Sequence, residues 1–135
     1  MSYSIKEIEG IDKAYAVKLN EMEIVTTDDL LNHAATKKER EALAKKSGIS
    51  EKLILKWANH ADLFRIKGIA GQFAELLEAS GVDTVKELRH RVAANLHAKL
   101  VEVNNAKNLT KRIPSESEIQ RMIDQAKELD PVMTY

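Results

Sequence analysis

The 135 residues fit one compact domain or two very small ones, and with one Trp, three Tyr and two Phe any core must be filled mainly by aliphatic side chains. The absence of cysteine excludes disulfides, zinc–thiolate sites and thiol nucleophiles. Lys plus Arg equal Asp plus Glu at 21 each, which counts against a dedicated non-specific DNA binder, a class that is usually basic overall.

No run alternates at period two for long and no Asn-Gly or Asp-Gly hairpin turn occurs, so an all-helical chain is expected. Ser4 is placed to cap a short helix carrying Ile5 and Ile8, which Gly10 ends, since glycine accepts a left-handed backbone. A helix over about 13–22 turns Ala16 and Leu19 inward. Thr26 or Thr27 caps the next, with Asp28 and Asp29 in the first turn where the helix dipole favours acids. Thr36 and Glu39 form a capping box for a helix that ends before Gly48. Ser50 then caps the longest helix of the first half. Its Leu53, Ile54, Trp57, Ala58, Ala61 and Phe64 recur at three- and four-residue spacing, an apolar stripe that makes Trp57 a core residue, with a partner anchor as the alternative. Gly81 and Thr84 punctuate the next junction. A helix over about 95–107 buries Leu96, Leu100 and Val103, and Ser115 and Glu118 cap a last helix burying Ile119, Met122, Ile123 and Ala126. Asp130-Pro131 ends the pattern, and the tail to Tyr135 is expected to fray.

One stretch is written twice, 58 residues apart. Ile8, Gly10, Ile11, Ala16, Leu19, Thr26 and Leu30 recur as Ile66, Gly68, Ile69, Ala74, Leu77, Thr84 and Leu88. The later helices match at an offset of 65, pairing Ser50 with Ser115, Ile54 with Ile119, Trp57 with Met122 and Ala61 with Ala126. Glu23 stands where the second copy has Gly81. A non-glycine residue is costly in a left-handed backbone, which predicts a different turn there. The two copies are expected to span residues 1–65 and 66–135, to share the helix at about 50–65, and to pack as one unit of about ten helices.

At Gly10-Ile11 and Gly68-Ile69 the chain resembles the helix-hairpin-helix superfamily. As a whole it is similar to a tandem form, an uncharacterised and largely bacterial family catalogued as a domain of unknown function. The resemblance implies an all-α fold of two pseudo-symmetric five-helix helix-hairpin-helix repeats. It also implies a non-catalytic module that grips nucleic-acid backbone, because in binding members the hairpin amides and the next helix N-terminus hold a phosphate oxygen. The second motif glycine is replaced by Asp12 and Ala70. Asp12, beside Glu7 and Glu9, is expected to disable the first hairpin. The second keeps basic flanks, so Arg65, Lys67, Gly68, Ile69, Ala70, Gly71 and Gln72 are the candidate residues for DNA or RNA backbone.

Charge is segregated: residues 36–56 carry seven bases and three acids, and residues 86–112 seven and two. Such stretches leave room for a local basic face, against the plainer reading of solvated helix surfaces. Zero net charge and degraded glycines support the alternative of a protein-interaction adaptor that has lost phosphate binding. His33, His60, His90 and His97 show no metal-ligand spacing and read as surface residues. No Ser-His-Asp order, phosphate-binding loop or dinucleotide fingerprint is present, so neither an enzyme nor a cofactor is expected. No apolar run approaches the roughly 20 residues of a membrane span, and the first residues lack a signal-peptide core, which points to the cytoplasm.

Overall fold

A computed structural model describes residues 2–135. Among them the chain is helical throughout, with one isolated antiparallel bridge between Ser4 and Thr26. A 3₁₀ turn at Ile5–Glu7 precedes α1 (Lys13–Glu21), α2 (Thr27–Ala34), α3 (Lys37–Ser47) and α4 (Glu51–Leu63). Then come α5 (Gly71–Ala79), α6 (Val85–Leu88), α7 (Ala93–Lys107) and α8 (Glu116–Glu128). No described helix is long and apolar enough to cross a membrane. One fewer helical element forms than expected. Residues 64–67 leave α4 through tight turns, Arg65 N–H to Asp62 C=O and Ile66 N–H to Leu63 C=O, so α4 leads directly into the turn at Gly68.

Local chemistry sets these boundaries. Thr26, Thr36 and Ser115 each close a reciprocal capping box, with Asp29, Glu39 and Glu118 as the acidic partners. Gly10 and Gly68 both adopt left-handed backbone, at φ +96° and +97°. Each also faces a crowded wall: a Cβ on Gly10 would lie 3.3 Å from Trp57 Nε1, and one on Gly68 3.3 Å from Met122 Cε. The turn at Glu23 does not differ from its counterpart. Glu23 takes φ +64° where Gly81 takes +94°, and Ile24 N–H bonds Leu19 C=O as Val82 N–H bonds Leu77 C=O. The intact hydrogen bonds and the full burial of Ile24 hold a glutamate in a conformation costing about 1 kcal/mol.

The buried apolar residues form two clusters. One gathers Ile5, Ile8, Leu19, Leu30, Trp57 and Phe64, and the other Leu63, Ile66, Ile69, Leu77, Leu100 and Ile123. The neighbours Leu63 and Phe64 point into different clusters, so the end of α4 belongs to both.

The C-terminal tail does not fray. Met133 is buried in the first cluster, Thr134 N–H bonds Ala35 C=O at 2.9 Å, and the Tyr135 hydroxyl donates to Asn59 Oδ1 at 3.0 Å. The anchor is Arg40, which lies in a basic stretch yet is only 2 % exposed. Its guanidinium donates to the carbonyls of Ala34, Ala35 and Thr134, and the Tyr135 ring stacks over it with its centroid 5.5 Å away. Arg40→Ala leaves three carbonyls short of a charged donor. We expect a loss of about 2 kcal/mol in urea unfolding, within the range for hydrogen bonds to charged groups. A loss near zero would mean that the tail is not held by this side chain.

Candidate functional site

The candidate residues from Arg65 to Gln72 differ in how far they are engaged. Arg65 is committed, donating to Asp62 Oδ1 at 2.8 Å and to the Asp130 carbonyl at 2.8 Å. Asp62 is itself buried and accepts the Val85 N–H at 2.9 Å, which ties the start of α6 to α4. Ile69 is core. Lys67, Gly68, Ala70 and Gln72 are exposed, and the Lys67 backbone N–H is taken by Gln125 Oε1 at 3.0 Å. The starts of α1 and α5 differ. Asp12 caps α1 by accepting the Tyr15 N–H, whereas Ala70 gives α5 no side-chain cap. Gly71, however, is buried against the Ile5–Glu7 turn, where the Glu7 carbonyl fills the space of a Cβ and Glu9 Oε1 lies 3.6 Å from that same point. The positive end of α5 thus already has a carboxylate beside it, one that comes from the copy carrying Glu7 and Glu9.

A second constellation lies between α4 and α5. His60 is not a surface residue: it is fully buried, because α4 is covered all round from Trp57 to Leu63. Its Nε2 lies 3.0 Å from Glu78 Oε2 and 3.6 Å from Glu75 Oε2. The Lys56 ammonium holds the other oxygens, at 3.2 Å from Glu75 Oε1 and 3.6 Å from Glu78 Oε1. Burial works to raise Glu78, but the hydrogen bond and charge of His60, followed by Lys56, outweigh it and hold the carboxyl below its ordinary range. Burial likewise works to lower Lys56, and the two carboxylates keep its ammonium above the usual value.

Beside this cluster opens a cleft of about 450 Å³, floored by Leu53 and Leu55 and lined by Lys52, Lys56, Asn59, Glu78 and Asp83. Among the described residues no cation lies within ion-pair distance of Asp83. Burial, only partly offset by its own backbone hydrogen bond and reinforced by the charges of Glu87 and Glu78, pushes the Asp83 carboxyl up.

A family described as a domain of unknown function, DUF4332, matches residues 9–129. The chain belongs to that family. No curated protein and no solved structure matches it. Membership of DUF4332 assigns no chemistry, so the functional reading rests on the residues themselves. Sequence spacing selected Arg65 to Gln72 and passed over His60, Glu75, Glu78 and Asp83. The last three sit 15, 18 and 23 residues beyond His60, on other elements, where no local spacing rule brings them together. The one available signal was the Glu75/Glu78 pair at i,i+3 on a helix that is otherwise mostly apolar.

Proposed function

We propose that this DUF4332 chain is a non-catalytic binding module built of two helix-hairpin-helix repeats that share α4, and that it binds a segment of a partner protein in the α4 cleft. The duplicated plan is supported by the matched turns at Glu23 and Gly81 and by the matched contacts of Gly10 with Trp57 and Gly68 with Met122. The observation that carries the choice of partner is Asp83, a half-buried carboxylate without a cation at the edge of an aliphatic floor. Such a site suits a peptide that presents a basic side chain next to an aliphatic one. Burial of the apolar part supplies affinity, and pairing with Asp83 supplies orientation. Nucleic-acid backbone is the less favoured ligand because Arg65 is tied to Asp62 and the Gly71 seat is filled by Glu7 and Glu9.

Asp83→Asn tests this with two readouts. The folded-state pKa of Asp83 lies above its unfolded value, so its ionisation costs stability at neutral pH. The substitution is therefore expected to raise the unfolding midpoint at pH 7. That gain should vanish below the ordinary carboxylate range, where both states are protonated. The same substitution should weaken binding of peptides selected from a displayed library, and the selected peptides should pair Lys or Arg with Leu or Ile. Peptides with no such pairing, or unchanged affinity in Asp83→Asn, would refute the cleft. Binding to single- or double-stranded DNA that falls with salt and with Lys67→Glu, but not with Lys6→Glu, would move the function to the second hairpin.

A further inference from the structure

The cluster of His60, Glu75 and Glu78 contains an inconsistency that hydrogen bonding alone does not resolve. The carboxylates present one oxygen each to Lys56 and one each to His60. A ring N–H at Nε2 can satisfy one acceptor, and it is directed at Glu78. Glu75 Oε2 is left buried with no hydrogen-bond partner. Buried polar atoms without partners are rare and costly, and at a convergent set of ligand atoms they point to an ion.

We propose that His60 Nε2, Glu75 Oε2 and Glu78 Oε2 form a binding site for a divalent first-row transition ion, with zinc the best fit. One ligand atom from each of His60, Glu75 and Glu78 lies within 4.8 Å of the other two. The two edges from His60 Nε2, 3.0 and 3.6 Å, bracket the edge of about 3.3 Å that a tetrahedral ion with ligand bonds of about 2.0–2.1 Å requires. One imidazole and two carboxylates suit zinc, manganese or cobalt over magnesium or calcium, which take oxygen ligands. The ion uses the Nε2 lone pair, which leaves the ring proton on Nδ1, a buried atom with no hydrogen-bond partner among the described residues. Lys56 is not displaced, since its contacts are with the opposite oxygens. It orients both carboxylates from the outside, and water closes the fourth position. The site links α4 to α5, the helices on either side of the second hairpin. The ion site shares Glu78 and Lys56 with the lining of the cleft but makes no use of Asp83.

The test is titration of the metal-stripped chain with zinc chloride by calorimetry and with cobalt chloride by visible absorption. One ion per chain is expected, with cobalt bands in the intensity range of four- or five-coordinate sites, and zinc should raise the unfolding midpoint. Glu75→Gln keeps the side-chain volume and should weaken binding by more than the roughly 10–100-fold that outer-shell partners are worth. His90→Gln, at an exposed histidine, should change nothing. Should circular dichroism show that Glu75→Gln is misfolded, Glu78→Gln takes its place. No saturable binding by the wild-type chain would overturn the proposal, as would binding that survives both Glu75→Gln and His60→Asn.

Discussion

Trp57→Ala is expected to destabilise the fold by about 3–5 kcal/mol, the usual range for emptying a buried tryptophan or phenylalanine site. Trp57 has no exposed surface, its ring meets Tyr15 edge-on at a centroid distance of 5.0 Å, and its indole edge stops 3.3 Å from where a Gly10 Cβ would stand. Collapse to fill the void is opposed by α4, which is packed on all sides at this level, so most of the cavity should persist. The indole N–H carries an offsetting penalty, because it is buried with no hydrogen-bond partner. Trp57→Phe removes that donor along with part of the volume, and its cost should be only about 1 kcal/mol. Urea unfolding followed by circular dichroism measures both, fluorescence being unsuitable because this is the sole tryptophan. A loss below about 1 kcal/mol for Trp57→Ala would contradict the packing and return Trp57 to the role of a partner anchor.

What was legible in the sequence is what short-range chemistry controls. Thr26, Thr36, Thr84 and Ser115 cap the helices that follow them because a hydroxyl within three residues of a free N–H needs no tertiary structure to reach it. Gly10, Gly48, Gly68 and Gly81 take positive φ for an equally local reason. The apolar stripe of α4 was legible too, but a stripe presumes one buried face. Packing on both sides of α4 buried Asn59, His60 and Asp62 as well, and so hid the cluster behind what read as a solvated histidine. Arg40 and the tail were missed for a related reason. Their bonds run from residue 40 to residue 134, and neither a basic stretch nor a residue after Pro131 shows in sequence that it has a distant partner. Glu23 shows the opposite failure: local preference argued against the turn, and the burial of Ile24 beside it prevailed.

Gly71→Ala should be the most damaging single-methyl change in the chain, at about 3 kcal/mol, the upper end of the typical range for overpacking a close-packed site. Two effects oppose each other. Alanine is the better helix former, and replacing a glycine at a compatible position stabilises by about 0.4–1 kcal/mol through the unfolded state. Against this, a Cβ at Gly71 would overlap the Glu7 carbonyl oxygen. That atom is backbone, and it belongs to a turn held by hydrogen bonds from Glu7 N–H to Ser4 C=O and from Ile8 N–H to Ile5 C=O. It cannot rotate away as a side chain would, so α5 must separate from the Ile5–Glu7 turn, which strains Ile5 and Ile8 on one side and Phe73 on the other, all buried. Overlap with fixed backbone outweighs helix propensity. Gly48→Ala is the control. It has open space around its Cβ but φ +73°, so only the left-handed strain of about 1 kcal/mol applies. Unfolding midpoints should fall in the order wild type, Gly48→Ala, Gly71→Ala. Equal losses for the two variants would show that the start of α5 and the Glu7 backbone are not in direct contact. The seat of Glu7 and Glu9 at α5 would then be open to an outside anion after all.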